Sequence, residues 1–275
     1  MGSKIRLIQK YKLWEFFPEG MGHHKVIHNG VLVRSIYSSY IEPFAGSIVM
    51  FFNLDPVPFK CIVNDIDEEI FNFWNVVKEN CEDLMKELEY VWNGDSWLKK
   101  LDQKGDDVSR AIAFYIRNRR GLFFQGTPDH FYKDFRFWKE RMDKSQICIL
   151  NLDYKKVFEI INKPKGKNRG SGSSELDYIV YEDPPYHGSE CIYKTGSFLN
   201  EDHEILAKIN HRIKHHVFLS YNDCKEIREL YSDWFMIELD NYSKFTEKNR
   251  KELFISNRPL VRRSVLNQGI QKKVI

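Results

Sequence analysis

Residues 39–47 have the sequence Ser39-Tyr40-Ile41-Glu42-Pro43-Phe44-Ala45-Gly46-Ser47, and this stretch decides the fold class. Its first six residues are typical of a short buried strand, and the last three predict a tight turn into a helix over residues 48–54. A second apolar run at residues 61–63 ends on Asn64-Asp65, and the apolar spacing over residues 66–90 predicts one long helix after it. The regular structure is therefore expected to begin as strand, turn, helix, strand and helix.

The same alternation continues towards the end of the chain. Apolar runs at residues 147–150, 178–181 and 216–220 predict three more strands, with a helix after the first of them. Strands that alternate with helices predict the α/β class, with a mainly parallel sheet covered on both faces. In such a sheet the ligand site lies beyond the carboxyl ends of the strands. Four acids fall at or just after predicted strand ends: Glu42, Asp65, Asp153 and Asp183.

Length and composition limit the class of protein. The chain has 275 residues, 42 % of them hydrophobic, which allows one large domain or a core domain with an insertion. A formal net charge of +3 does not by itself indicate nucleic-acid binding, since binding depends on where the charges lie. The five cysteines are scattered and form no C-x-x-C pair, so we expect neither a metal site nor disulfides. No apolar run approaches the roughly 18 residues needed to cross a membrane, so we expect a soluble, cytoplasmic protein.

Residues 80–146 interrupt the alternation of strands and helices. They are rich in Trp, Phe, Arg and Lys, and they contain no convincing buried strand. We therefore predict a helical subdomain at residues 80–146, inserted into a main domain made of residues 1–79 and 147–275. Residues 163–174 (KPKGKNRGSGSS) are basic and rich in Gly and Ser, which is typical of a surface loop.

Asp183-Pro184-Pro185-Tyr186 follows the fourth predicted strand and is the motif with the most specific chemistry. A carboxylate and a main-chain carbonyl that accept the two N–H groups of an aromatic amine localise the lone pair of its poorly nucleophilic nitrogen. Two prolines fix the backbone so that the Pro184 carbonyl can face inward. Tyr186 offers a ring for stacking an extruded base, a contact worth on the order of 1–3 kcal/mol. A proline-rich turn is the structural alternative, but the acid in front and the strand before it favour the chemical role.

The turn at Gly46 is a weaker signal. A glycine there lets the backbone approach a ligand closely, and the helix N-terminus adds amide donors, but many strand-to-helix turns contain glycine. Asp65 strengthens the signal, because it lies about 20 residues later at the end of the second strand, where it can accept hydrogen bonds from ribose hydroxyls. Asp65 is also a candidate helix N-cap, and the two roles do not exclude each other.

Four segments in this order resemble the Dam-type, alpha-class DNA adenine methyltransferases: EPFAGS at 42–47, NDID at 64–67, DPPY at 183–186 and LSYN at 219–222. Residues 109–126 (SRAIAFYIRNRRGLFFQG) are similar to the segment before the family's DNA-reading hairpin, and residues 251–257 (KELFISN) to its closing strand. The resemblance implies a Rossmann-like fold that uses S-adenosyl-L-methionine, with a catalytic main domain and the insertion as target-recognition subdomain. It implies methyl transfer to N6 of an adenine flipped out of duplex DNA, as in restriction-modification systems.

The resemblance also implies roles for individual residues. The target base would be held by Asp183, Pro184, Pro185 and Tyr186. The cofactor would be bound by Lys25, Glu42, Pro43, Phe44, Ala45, Gly46, Ser47, Asp65, Asp153, Tyr154 and Asp183. The catalytic pocket would be shaped by Ser220, Tyr221 and Asn222.

Two positions depart from the family pattern. Family members commonly have a second glycine where this chain has Ile48, which predicts a less open turn. The usual G-G-K near the N-terminus is replaced by residues 20–25 (GMGHHK). Lys25 is the candidate for the lysine that meets the cofactor carboxylate.

A basic segment without acids spans residues 110–120 and interleaves with aromatic residues. Guanidinium groups suit phosphates and the acceptor edge of guanine, so the segment predicts DNA contact. The candidate DNA-binding residues are Arg110, Arg117, Asn118, Arg119 and Arg120, together with Lys165, Lys167 and Arg169 of the basic loop. The alternative is a solvated helix face over an aromatic core, and a solvated loop.

Other functions stay open on the sequence alone. Methylation of the exocyclic amine of cytosine uses a similar centre, and RNA is a third class of substrate. The Ile48 and G-G-K departures also suit a DNA-binding module that has lost activity. Methyl transfer to nitrogen needs no metal, because the sulfonium is already an activated leaving group. We expect a monomer, or a dimer on DNA.

Overall fold

The computed structural model describes residues 2–18, 25–28, 31–34, 37–93, 105–119, 129–163, 177–188, 198–243 and 248–264. Within these residues, no helix combines the length and the apolar character needed to cross a membrane.

Strands in the described residues form one large sheet and one hairpin. Their bounds are β1 (Lys25–His28), β2 (Val31–Arg34), β3 (Tyr37–Glu42), β4 (Lys60–Asn64), β5 (Gln146–Leu150), β6 (Asp177–Glu182), β7 (His216–Asn222), β8 (Phe235–Ser243) and β9 (Lys248–Ser256). Strands β1 and β2 pair with each other in antiparallel register. The other seven form a sheet in the order β5-β4-β3-β6-β7-β9-β8.

The sheet is parallel from β5 to β7, and β9 and β8 are added antiparallel at one edge. The chain leaves β3 for β4 on one side and returns to β6 on the other, so the strand order changes direction between β3 and β6. Ligands of open α/β sheets bind in the crevice at such a switch point. The topology therefore places the expected site beside the ends of β3 and β6.

Helices cover both faces of the sheet. Their bounds are α1 (Gly2–Tyr11), α2 (Val49–Asn53), α3 (Glu68–Glu79), α4 (Cys81–Asn93), α5 (Asp107–Arg119), α6 (Asp129–Asp143), α7 (Tyr154–Ile161), α8 (Asn200–Asn210) and α9 (Lys225–Leu230), with a 3₁₀ turn at Leu13–Phe16. One core cluster joins α1 to α6 with one face of the sheet, and a second joins α7, α8 and α9 with the other. These two layers confirm the α/β class and the covered parallel sheet.

The predicted strands at residues 39–44, 61–63, 147–150, 178–181 and 216–220 correspond to β3 to β7 and are confirmed. The predicted single helix over residues 66–90 is wrong, because the helix breaks at Asn80 into α3 and α4. Asn80 leaves the helical region, with φ −127° and ψ 31°, while its N–H still donates to the Val76 carbonyl (2.8 Å). The break lets the apolar faces of both helices reach the same core.

Helices α4, α5 and α6 account for the described part of residues 80–146. Phe135 of α6 contacts Phe73 of α3 and Tyr115 of α5, with ring centroids 6.2 and 5.0 Å apart. Trp138 of α6 also packs edge-on against Trp74 of α3. These helices share their core with the helices of the main domain, and the division at residues 80 and 146 stays a prediction.

Candidate active site

A cavity of about 630 Å³ opens beside the carboxyl ends of β3, β4 and β6, at the switch point of the sheet. Its lining includes ten predicted cofactor residues: Glu42, Pro43, Phe44, Ala45, Gly46, Ser47, Asp65, Asp153, Tyr154 and Asp183. The four strand-end acids therefore share one cavity, as the topology of a parallel sheet predicts.

The turn after β3 has a backbone shape that glycine favours. Gly46 has φ 47°, its N–H donates to Asp65 Oδ2 (2.8 Å), and its carbonyl accepts from Trp74 Nε1 (2.8 Å). Ile48 also has φ 47°, in the left-handed region that β-branched residues avoid. The Ile48 side chain is fully buried in the core and is not part of the cavity lining. The replacement of the expected glycine therefore leaves the cavity side of the turn open.

Glu42 ends β3 and is buried at the cavity wall, only 1 % exposed. Its Oε1 accepts from the Tyr40 hydroxyl (2.7 Å) and from the Phe51 N–H (2.9 Å). Burial raises the pKa of Glu42 to about 8, although both hydrogen bonds act in the opposite direction. Burial therefore favours the neutral form of this carboxyl group.

Asp65 connects the end of β4 to the turn after β3. Its carboxylate accepts from the N–H groups of Gly46 and Asp67, at 2.8 and 3.0 Å. Burial raises the pKa of Asp65, and these backbone donors partly offset that effect. The N-cap of α3 is Asp67, which accepts from the Glu69 N–H, so the alternative role of Asp65 as the cap of that helix is excluded.

Aromatic rings form another wall of the cavity. Tyr154 lies with its ring centroid 5.1 Å from that of Phe44 and 5.6 Å from that of Phe198. Asp153 precedes this ring and caps α7, because its carboxylate accepts from the Lys155 N–H (2.8 Å). The wall presents flat apolar surface next to a carboxylate, which suits a ring with polar substituents.

The Asp183–Tyr186 segment leaves β6 and lies at the edge of the same cavity. Asp183 and Pro185 line the cavity, while Pro184 is buried. Tyr186 does not belong to the lining; its hydroxyl donates to Glu252 Oε2 (2.7 Å). Asp183 is therefore the residue through which the cavity meets the rest of the motif.

Two residues that the sequence did not single out complete this arrangement. Lys4 Nζ of α1 lies 2.9 Å from Asp183 Oδ1 and 3.0 Å from Glu252 Oε2 of β9, and it also donates to the Tyr186 hydroxyl. Burial acts to lower the pKa of Lys4, but the charges of Asp183 and Glu252 outweigh it and the pKa is raised. Lys4 precedes the buried Leu7 and Ile8 by three and four residues, so all three lie on one face of the helix. This helical spacing was the signal in the sequence that Lys4 faces the interior.

Comparison with known proteins identifies the family of this chain and the reaction of that family. The family model of the D12 class N6 adenine-specific DNA methyltransferases matches residues 25–253. The chain belongs to this family. Its reaction is the methylation of DNA adenine at N6, so cytosine is not the base that the family modifies.

Curated relatives agree with this assignment at low identity. A type II methyltransferase of Lactococcus lactis subsp. cremoris is 26 % identical over 222 residues, which are 73 % of this chain and 75 % of that protein. The retron Ec67 DNA adenine methylase of Escherichia coli is 23 % identical over 222 residues, 70 % of this chain and 72 % of that protein. The DNA adenine methylase of Haemophilus influenzae is 23 % identical over 224 residues, 70 % and 73 % of the two chains.

Helix α5 of this methyltransferase contains the predicted arginine cluster. Arg110 pairs with Glu68 and Glu69 of α3, at 2.8 and 2.9 Å, and Arg117 pairs with Glu69 at 3.4 Å. Asn118 lines the cavity, and its side chain donates to the Phe114 carbonyl (2.9 Å). Arg110 also lies 3.7 Å from Asp107 at the start of α5, so the acids that pair with this segment come from α3 and from α5 itself.

Several predicted residues have no described side chain. Lys25 begins β1 and Arg119 ends α5, but only their backbone is described. Arg120, Lys165, Lys167 and Arg169 lie outside the described residues. The assignments of these six residues to the methyltransferase's donor and DNA sites stay predictions.

Ser220, Tyr221 and Asn222 of the LSYN segment form hydrogen bonds next to the cavity without lining it. Ser220 Oγ hydrogen-bonds the Tyr181 hydroxyl (3.0 Å), and the buried Tyr221 hydroxyl pairs with His203 Nδ1 (2.7 Å). Asn222 donates to the His187 carbonyl (3.1 Å), just after the Asp183–Tyr186 segment. None of these three is part of the cavity lining.

Side chains of metal-ligating type meet once among the described residues of the methyltransferase, at His187, Cys224 and Glu226. Their candidate ligand atoms lie within 4.8 Å of one another. Burial raises the pKa of the Cys224 thiol, which disfavours the thiolate that binds metals. We assign no role to this group.

Proposed function

We propose that this methyltransferase moves a methyl group from S-adenosyl-L-methionine to N6 of an adenine extruded from duplex DNA, with Asp183, Pro184, Pro185 and Tyr186 as its catalytic centre. One observation carries the proposal: Asp183 lines the same cavity as the Gly46 turn and Asp65. A donor in that cavity and a base held by Asp183 would meet at one carboxylate. The family assignment supplies the reaction to which this geometry is suited.

The cavity has the properties that the donor requires. Its volume falls within the roughly 300–1,000 Å³ typical of small-molecule sites. Asp65 is available to accept from ribose hydroxyls, since each of its oxygens has a second lone pair. Phe44, Tyr154 and Phe198 offer surface for the adenine ring of the donor. When bound, S-adenosyl-L-methionine supplies a methyl group activated by a sulfonium.

The backbone at Gly46 and one lysine complete the proposed binding site for S-adenosyl-L-methionine. The open backbone at Gly46 allows close approach to the donor, and a Cβ added at this glycine would meet no atom within 4 Å. Lys25 is assigned to the donor carboxylate from the sequence alone. The remaining proposed donor contacts are those of Glu42, Pro43, Ala45, Ser47 and Asp153.

The base is held on the other side of Asp183. Asp183 accepts one N–H of the adenine amino group and the Pro184 carbonyl accepts the other, which localises the nitrogen lone pair. Tyr186 stacks on the base, and the prolines keep the backbone fixed while it binds. The rate then comes mainly from alignment of the nitrogen with the methyl group, so no covalent enzyme intermediate is needed. Flipping is required because the reacting nitrogen is inaccessible inside the duplex.

Contact with DNA is proposed for the face of α5. Its residue Asn118 belongs to the cavity lining, so α5 lies beside the place where the base must enter. Arg110 and Arg117 would exchange Glu68 and Glu69 for phosphates or base edges. Arg119 and Arg120, the next arginines in the sequence, are proposed to make contacts of the same kind. Lys165, Lys167 and Arg169 would add phosphate contacts from the basic loop. Residues 80–146 would then act as the target-recognition subdomain.

A transfer assay tests the proposal. Purified protein is incubated with duplex DNA and methyl-labelled S-adenosyl-L-methionine, and the DNA is digested to nucleosides. We expect label in N6-methyladenine, loss of label for Asp183→Ala, and retention of label for Asp143→Ala, which removes an exposed acid of α6. Absence of label in DNA from a protein that binds both donor and DNA would refute the proposal. A parallel incubation with RNA tests the other polymer as substrate.

A further inference from the structure

The N-terminal helix α1 brings a cation to the base-binding segment. Lys4 lies outside residues 25–253, the part of the chain that matches the family model. Its Nζ nevertheless contacts Asp183 Oδ1 (2.9 Å), Glu252 Oε2 (3.0 Å) and the Tyr186 hydroxyl. The ammonium also lies 5.0 Å from the centre of the Tyr186 ring. One side chain thus contacts both the acid and the aromatic residue that are proposed to hold the base.

Helix α1 is anchored in the fold. Leu7 and Ile8 are buried in the main core cluster. The Asp240 N–H donates to the Tyr11 hydroxyl (2.8 Å), and Lys10 donates to the Asp240 carbonyl (3.1 Å). The Lys4 side chain is 14 % exposed. The packing of α1 against the core therefore fixes the position of the Lys4 ammonium.

Without a cation, the region would contain two neighbouring carboxylates, that of the buried Glu252 and that of Asp183, whose side chain is 25 % exposed. Asp183 of the loop after β6 and Glu252 of β9 both contact the Lys4 ammonium, and Glu252 also accepts from Tyr186 and from Asn241 Nδ2 (2.5 Å). When two carboxylates share one site without a cation, the pKa of one of them is strongly raised, so they do not both stay ionised. The other titratable groups near Asp183 are the buried Tyr181 and Glu42.

We propose that Lys4 is a positioning residue of the methyl-transfer centre, whose ammonium keeps Asp183 ionised and fixes Asp183 and Tyr186 relative to each other through Glu252. The proposal rests on the catalytic role proposed for Asp183. The Lys4 ammonium lies 2.9 Å from Oδ1, and among the described residues no hydrogen bond is made to Oδ2. The second oxygen is thereby left to accept the N–H of the base.

The directions of the pKa shifts agree with this role. The pKa of Asp183 is raised overall, because burial raises it more than the Lys4 ammonium lowers it, and Glu252 raises it as well. The pKa of Glu252 is lowered although burial acts to raise it, because Lys4, Tyr186 and Asn241 stabilise its charged form. Removal of the ammonium would raise the pKa of Asp183 further, and a protonated Asp183 loses acceptor capacity for the base.

Lys4→Met is the decisive variant, with Lys4→Arg and Arg6→Met as its controls. Lys4→Met keeps the length of the stem without charge, and an opposite charge at this distance is worth about 1–3 pKa units. We therefore expect the acidic limb of kcat to move up by about 1–3 pH units, so that the loss of kcat grows as the pH falls. Donor affinity should not change, because Lys4 does not line the cavity. Lys4→Arg should keep the wild-type acidic limb, and Arg6→Met, which removes an exposed cation of α1, should behave as wild type.

Each contrary outcome has a definite meaning. A lower kcat for Lys4→Met with an unmoved acidic limb, or an equal loss for Lys4→Arg, would reduce Lys4 to a structural role and overturn the proposal. A higher kcat for Lys4→Met would overturn it as well, because the ammonium would then compete with the base for Asp183. A wild-type protein that methylates no adenine would refute the proposed function instead. The pKa of Asp183, measured by NMR in wild type and Lys4→Met, would still test the ammonium's effect.

Discussion

The two sides of the cavity are built in different ways. One is the proposed binding side for the methyl donor (the donor side), with Gly46 and Asp65, and the other is the proposed binding side for the base (the base side), with Asp183 and Tyr186. On the donor side, the Gly46 N–H donates to Asp65 Oδ2 across 19 positions of the chain, between two consecutive strands. On the base side, Lys4 meets Tyr186 across 182 positions and Glu252 across 248. The donor side is a local motif, and the base side is assembled from both ends of the chain.

The two sides also differ in charge. At the donor side, burial raises the pKa of Glu42 to about 8 and so favours its neutral form. At the base side, an ammonium sits between two carboxylates, and the pKa of Glu252 is lowered. Hydrogen bonds from the backbone organise the first, whereas ion pairs organise the second. Substitutions on the two sides should therefore affect different steps.

The largest effect is expected from Asp183→Asn, which replaces an acceptor oxygen by an amide of the same shape. Because the carboxylate is proposed to polarise the base, kcat should fall roughly 10²- to 10³-fold, the loss typical for one preorganised polar contact to the reacting group. Donor affinity, measured by calorimetry, should change little. A variant that keeps kcat but loses donor affinity would show that Asp183 belongs to the donor side only.

The opposite pattern is expected from Asp65→Asn. Hydrogen bonds to a charged acceptor contribute about 1.5–3 kcal/mol, so donor affinity should fall about 10- to 100-fold. The value of kcat at saturating donor should change far less. Asp67→Asn is the matched control, because it also lines the cavity but its amide still caps α3. Equal losses for both variants would show that the shape of the turn matters, and not the Asp65 carboxylate.

Glu42→Gln should alter the pH dependence of stability. The pKa of Glu42 is about 8 in the folded protein and near its ordinary 4.5 in the unfolded chain. The folded state then binds more protons between these values, so the Glu42 contribution to the free energy of unfolding falls as pH rises from about 4.5 to 8 and is level above that.

The neutral isostere should remove this slope. Denaturant titrations at pH 6 and pH 8 should show a Glu42→Gln variant that gains about 1–3 kcal/mol relative to wild type between the two values. The exposed Glu79→Gln should show no such gain. If Glu42→Gln keeps the wild-type slope, Glu42 is ionised in the folded protein and the two sides of the cavity are alike in charge.

The sequence predicts which strand-end residues share the cavity, because the signals for them are local. Strand-end positions of Glu42, Asp65, Asp153 and Asp183 follow from apolar runs, and a parallel sheet then brings them to one cavity. The contact between Lys4 and Glu252 cannot be predicted from any apolar run, because it depends on how α1 and the β8–β9 hairpin pack.

The arginine segment shows the same limit. Residues 110–120 contain no acid, which favours a surface that binds phosphates. The fold supplies Glu68 and Glu69 from α3 to Arg110, so local charge counting does not give the potential of that face. The predicted DNA contact therefore needs the exchange of these partners, which the sequence pattern does not reveal.

The smallest expected effect concerns the donor-side turn itself, at Ile48. A left-handed conformation costs a β-branched residue about 1–2 kcal/mol, and this chain accepts that cost while it buries the side chain completely. Truncation to Ala removes the burial and keeps the backbone cost, whereas truncation to Gly removes both. Ile48→Gly should therefore be more stable than Ile48→Ala by about 1 kcal/mol in denaturant titrations. At Val49, the first residue of α2, the order should reverse, with Gly less stable than Ala by about 0.5–1 kcal/mol. The same order at both positions would mean that the turn relaxes when Ile48 is truncated, and that its left-handed backbone is held by the isoleucine and not by the Gly46–Asp65 contact.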